Sequence, residues 1–193
     1  MNEKFLSDRL LSAIQMAVRI HGTMTRKADG SPYINHPIAV FGLLVHWGAD
    51  ENTCIAGLLH DVIEDVENDE ERTKVRTEIE EKFGKEVLQY VEEVTEQDKS
   101  LPWKERKLQY LDGLKHHSIS ALLISCADRT HNTISVVHSL RDMGEEVWEK
   151  FNAPKDEQIW FMDSVLEILT DRLDKKYINE LTKNIETIKV VLS

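Results

Sequence analysis

Helical periodicity runs through almost the whole of this chain and leaves little room for any other kind of structure. Leu6, Leu10, Ile14 and Val18 recur on one face of a first helix over roughly residues 3–21. Pro37 suits the first turn of a second helix, which Gly48 ends. A third starts near Asp50 and runs through CIAGLLHDVIED. A fourth, ERTKVRTEIEEKF, buries Val75, Ile79 and Phe83 and stops at Gly84, and a fifth carries Val87, Leu88, Val91 and Val94. Pro102 opens a sixth that ends near His116. The seventh, SISALLISCADRTHNTISVVHSL, is long and mostly apolar, so it is expected to cross the middle of the molecule. Two amphipathic helices follow, around Ile159 to Leu173 and Ile178 to Leu192; the last can pack on the body or pair with a second subunit as a homodimer. The turn-rich stretch from Gly22 to Ile34 has room for a short hairpin. No other segment alternates as a strand does. With only 4 Pro and 8 Gly in 193 residues and no linker, the pattern predicts an all-α fold, a helical bundle of about eight to ten helices, as one domain over residues 1–193.

Charge narrows the class of ligand. The formal net charge is −11, which argues against a nucleic-acid surface, since such surfaces are built from many Lys and Arg contacts to phosphate. A small anionic substrate would need a local cluster of positive charge, from a metal ion and a few basic side chains. No run of about 18 apolar residues marks a membrane span. The N-terminal stretch lacks the pattern of a signal peptide, so none is expected. Cys54 and Cys126 lie in apolar-periodic segments, which fits small buried thiols in a reducing, cytoplasmic setting.

At 100° per residue, His60, Asp61, Glu64 and Asp65 share one arc of the third helix, with Gly57 in its middle leaving room for a ligand. Three acids so close repel one another, and a divalent cation would turn that repulsion into attraction. His36 stands at a Pro-marked helix start. Asp128 sits in apolar surroundings, where an unpaired carboxylate is costly, and shares a face with His131 and Asn132 at i+3 and i+4. Two imidazoles and two carboxylates (His36, His60, Asp61, Asp128) form a mixed N/O set suited to Mn²⁺, Fe²⁺, Co²⁺ or Zn²⁺ rather than Ca²⁺. Water on such an ion becomes a nucleophile near neutral pH. Arg26, Lys27 and Arg129 are the local positive charges near these motifs in sequence.

HGTMTRKADGSPYINHP, GLLHDVIED and ADRTHN, in that order, resemble the HD-type hydrolase domain of the RelA/SpoT proteins, and above all its small stand-alone metazoan members. The similarity covers about residues 10 to 140, with weaker echoes in VEEVTEQDKSLPWKERK. The resemblance implies a compact HD-domain bundle with His36, His60, Asp61 and Asp128 as ligands, usually to Mn²⁺. It implies that Glu64 and Asp65 orient water and move protons. It also implies that Arg26 and Lys27 meet guanine and phosphates, and that Asn132, with His131 beside it, contacts the nucleotide. The reaction it implies is removal of pyrophosphate from the ribose 3′ position of ppGpp or pppGpp. Ala28, Thr130 and His131 depart from the family pattern on the substrate side. Two alternatives therefore stay open: another 3′- or 2′-phosphorylated nucleotide as substrate, or a non-catalytic alarmone-binding or antitoxin partner. His21 could support the site or merely cap its helix. His46, His138, His116 and His117 have ordinary packing, surface or helix-end roles.

Overall fold

Short polar side chains fix where several helices begin. In the computed structural model, which describes residues 7–26, 30–96 and 100–190, Ser7, Asp50, Asn68 and Ser118 each accept a hydrogen bond from a backbone N–H three residues on. Each thereby satisfies one of the donors that a helix start leaves unpaired. The helices they open are α1 (Asp8–His21), α3 (Glu51–Leu59), α4 (Asp69–Phe83) and α7 (Ile119–Met143). Between and after them lie α2 (Asn35–His46), α5 (Lys85–Val94), α6 (Trp103–Leu114), α8 (Lys155–Arg172) and α9 (Lys175–Val190). The all-α expectation holds. Among the described residues there are nine α-helices, one 3₁₀ segment at Gly144–Lys150 that the periodicity did not signal, and no strand. The Gly22–Ile34 loop folds back through one isolated antiparallel bridge, Thr25 to Pro32, with Tyr33 N–H donating to Met24 O at 2.8 Å.

The long apolar α7 organises the interior, as its composition suggests. It turns Ile124 and Ala127 into a core formed with α1 to α5, and Leu122 and Cys126 into a second core with α6, α8 and α9. Asp128 follows at the seam between them. The apolar face of α9 (Ile178, Leu181, Ile185, Ile188) is buried against α7 and α8 of the same chain. Cys54 and Cys126 are free and buried. No helix among the described residues is long and apolar enough to cross a membrane.

Two expectations about α3 are corrected. The helix does not run through the HDVIED segment; it ends at Leu59, with His60 at its C-cap. The His60 Nδ1–H donates to Gly57 O at 2.8 Å, taking the carbonyl that an Asp61 N–H would hold in a continuing helix. Residues 61–64 then form turns, so the four ionisable groups do not share a stripe. Gly57 does not open space for a ligand. A Cβ there would lie 2.2 Å from Leu44 Cδ1 and 3.5 Å from Val40 Cγ1, so the glycine lets α3 press against α2.

Leu44 is fully buried and cannot swing clear. Gly57→Ala should therefore destabilise the fold by about 1–3 kcal/mol through overpacking. Gly42→Ala is the control, on α2 with nothing within 4 Å, and should stabilise by about 0.4–1 kcal/mol. Urea denaturation of both variants distinguishes them; equal effects would contradict the close-approach role of Gly57.

Candidate metal centre

Three separate pieces of chain bring their polar ends to one point. The Gly22–Ile34 loop and the start of α2 supply Tyr33 and His36, the end of α3 supplies His60 and Asp61, and the middle of α7 supplies Asp128. His36 Nε2 lies 3.1 Å from His60 Nε2, 3.1 Å from Asp128 Oδ1 and 3.6 Å from Asp61 Oδ2. His60 Nε2 lies 3.1 Å from Asp61 Oδ2 and 3.9 Å from Asp128 Oδ1. Both imidazoles and Asp128 are buried.

The outer partners decide what these atoms offer. His60 gives its Nδ1 proton to Gly57 O, which leaves the Nε2 lone pair aimed at the cluster. His36 Nδ1 meets His131 Nδ1 at 2.9 Å, so His36 too presents Nε2. Tyr33 donates its hydroxyl proton to Asp61 Oδ2 at 2.6 Å; burial, then the nearby acids, push the phenol well up, so it remains a donor. Asp128 is held by Asn132 Nδ2–H to Oδ1 at 2.6 Å and by Arg129, 2.7 Å from Oδ2. His36, His60 and Asp128 thus bring one potential ligand atom each within 4.8 Å of one another, with Asp61 Oδ2 beside both imidazoles, an arrangement that a cation among them would stabilise. Donor atoms bound about 2.1 Å from one ion at right angles are about 3 Å apart, close to the spacings here. The set fits a divalent transition metal.

Without an ion, a proton takes that place. Burial alone would push the His60 imidazole down, but Asp61, then Asp128, outweigh it and hold its pKa up at about 9. Burial keeps His36 below its usual value. Burial opposes ionisation of Asp61 and Asp128 as well, yet both stay well below the usual carboxylate range. His60 dominates for Asp61, and Arg129, then His36, for Asp128.

A cleft of about 420 Å³ opens on this cluster, lined by Arg26, Tyr33, His36, Asp61, Asp65, Asp128 and Asn132 among others. Arg26 Nη2 donates to Asn132 Oδ1 at 3.0 Å, so the two expected substrate contacts meet at the cleft. Arg129 borders both this cleft and an adjoining cavity of about 260 Å³ floored by Trp103 and Phe161. Lys27 lies outside the described residues. His131, expected beside Asn132 at the nucleotide, is turned to the back of His36. The two acids after Asp61 part company. Asp65 lines the cleft, whereas Glu64 Oε1 accepts the Glu96 N–H at 2.8 Å. Tyr33 and Glu96 were not singled out from sequence. Tyr33 lies inside the first quoted motif, but the amide of Glu96 has no sequence signature.

A family model described as HD domain matches residues 13–157. The chain is 39% identical over 127 residues to mouse (Mus musculus) guanosine-3′,5′-bis(diphosphate) 3′-pyrophosphohydrolase MESH1, an overlap of 64% of this chain and 67% of that protein. To the MESH1 of Danio rerio it is 36% identical over 149 residues, 76% and 75% of the two chains. A solved structure described as "A metazoan ortholog of SpoT hydrolyzes ppGpp and plays a role in starvation responses" superposes with a TM-score of 0.74 at 26% identity. That superposition covers 95% of this chain and 97% of the other.

Divalent metal should raise the melting temperature and chelator should return it; at a hundredfold excess over Kd the gain is about 2.7 kcal/mol. His60→Ala and Asp61→Ala should lose the shift. The proton that His60 carries below about pH 9 must leave on binding, so metal affinity should climb with pH up to that value. Calorimetry in buffers of different ionisation enthalpy measures that release; binding of equal strength at pH 6 and pH 9 would count against it.

Proposed function

The chain belongs to the HD-domain family, alongside the metazoan SpoT homologues, and on that premise we propose that it is a metal-dependent guanosine-3′,5′-bis(diphosphate) 3′-pyrophosphohydrolase. It would convert ppGpp to GDP and pppGpp to GTP, releasing pyrophosphate. The observation that carries the proposal is the approach of Asp61 Oδ2 and Asp128 Oδ1 to the Nε2 atoms of His36 and His60 beside an open cleft. We assign the ion as Mn²⁺, in keeping with the mixed N/O donors, and the setting as cytoplasmic, in keeping with two free buried thiols.

A divalent ion held by these four residues supplies Lewis acidity, polarising a phosphoryl oxygen and making water a better nucleophile. The residues of the chain do the rest. Water must add to the phosphorus on O3′ as the P–O3′ bond breaks, so one proton leaves the water and another reaches the ribose oxygen. Asp65, on the cleft wall, and Glu64, anchored by a backbone amide, divide these transfers. Tyr33 and Asn132 fix the orientation of the two aspartates. Arg26, braced by Asn132, and Lys27 meet the anionic nucleotide, and Arg129 adds positive charge between the cleft and the adjoining cavity. A small nucleotide, rather than a nucleic acid, suits a chain of net charge −11 with Arg26, Arg129 and Lys150 on its cleft.

Purified protein with Mn²⁺ should release pyrophosphate from ppGpp and pppGpp in preference to other 3′- or 2′-phosphorylated nucleotides, and chelator should stop it. Binding without turnover would overturn the proposal. Asp65→Asn or Glu64→Gln should lower kcat by about 10²-fold or more while metal still binds. Arg26→Ala should raise KM more than it lowers kcat, and an unchanged KM would remove Arg26 from the substrate site.

A further inference from the structure

His21, the last residue of α1, has no exposed surface. Among the described residues, neither ring nitrogen meets hydrogen-bond geometry with a protein group, and the same holds for Asp65 Oδ2. These two orphans face each other, His21 Nε2 standing 3.3 Å from Asp65 Oδ2. A buried polar atom without a partner is costly, and a ring N–H and a carboxylate oxygen are each other's complement. An apolar side chain would fill this part of the α1 face, beside Ala13, Met16 and Ala17, at no such cost. The ring is also fixed in place, its centroid 5.0 Å from that of Tyr33, whose hydroxyl holds Asp61. Asp65 lines the cleft, so His21 meets it from the side away from the substrate.

We propose that His21 is a positioning residue: its Nε2–H donates to Asp65 Oδ2 and keeps the carboxylate aimed into the cleft. No bond is made or broken at His21, and it touches neither ion nor substrate. The inference rests on the proton-handling role given to Asp65 under the proposed function. It also accounts for a buried imidazole in α1, a helix that otherwise contributes only packing to the site.

The test separates donor from volume. Glutamine can place an N–H near the Nε2 position, asparagine only near Nδ1, and methionine fills the space with no donor. In the full chain with Mn²⁺ and ppGpp, His21→Met should lower kcat by about tenfold with KM and Mn²⁺ affinity little changed. His21→Gln should recover most of the rate and His21→Asn should not. On an Asp65→Asn background, His21→Met should add nothing, because it acts only through that carboxylate. In the metal-free protein, NMR of ¹⁵N-histidine-labelled protein should show a slowly exchanging His21 Nε2 proton that Asp65→Asn shifts or removes. If His21→Met fails to fold, the Gln–Asn contrast and the NMR signal decide. Equal activity of Gln and Asn variants, or losses that multiply in the double variant, would overturn the inference. An Asp65→Asn variant that keeps full rate would overturn the role of Asp65 and this inference together. Loss with Asp65→Asn but none with the His21 variants would overturn the inference alone.

Discussion

Bringing two carboxylates within 4 Å of two buried imidazoles is the costly step in this structure, and much of the architecture serves to hold them there. Two imidazole lone pairs and two carboxylates repel unless a cation lies among them. The surrounding helices keep them from moving apart. Asp128 sits on a helix with a core on each of two faces, so it cannot retreat without disturbing both. His60 is locked by the carbonyl of Gly57, and Gly57 in turn is pressed against Leu44. Without an ion, the proton on His60 and the charge of Arg129 hold the two carboxylates, and a bound ion would take that proton's place. That is the physical basis for expecting metal affinity from a site whose ligands are already in place.

The surrounding charge completes the balance. Arg129 neutralises the outer oxygen of Asp128 and lies over Tyr110 and Phe161, 5.6 and 5.3 Å from their ring centroids. Lys107 and Arg106, from α6, pair with Glu96, the residue whose amide holds Glu64. Burial, and then Arg129 nearby, lower the Lys107 ammonium below its usual value, so Glu96 is needed to keep that charge in place. Arg26, Arg129 and Lys150 line the cleft itself, local positive charges in a chain of net charge −11.

Where local chemistry decides, the sequence was informative. The end and buried face of α4 follow from Val75, Ile79, Phe83 and Gly84, although its start lies two residues earlier, behind the Asn68 cap, and the crossing role of α7 follows from its length and mostly apolar composition. The residues that meet at the site were legible because each belongs to a motif with its own peculiarity: an imidazole before Pro37, a His–Asp pair after an apolar run, a carboxylate in apolar surroundings. Three things were not legible, each because it depends on a distant partner. Gly57 has no sequence mark telling an open face from a helix contact; only Leu44 decides. His131 shares a face with Asp128 and Asn132 by spacing, yet its ring turns to His36, across to α2. The Glu96 amide, as a backbone group, is invisible to any argument from side chains.

The end of α3 is where structure and sequence pattern differ most, and its physics links the rest. Had the helix continued, Asp61 and Asp65 would stand i to i+4 with Glu64 between them, three acids on one face competing for one neighbourhood. With the helix ended at His60, Glu64 is taken up by the Glu96 amide while Asp61 and Asp65 both line the cleft. Asp61 receives Tyr33, and Asp65 faces His21. Each carboxylate thus meets a different element: the loop before α2, the segment after α5, the end of α1. The turn thus resolves a local electrostatic conflict by long-range contacts. It also makes the carboxylates separable, which is what the proposed division between an ion ligand and proton-moving neighbours, four residues or fewer away, requires.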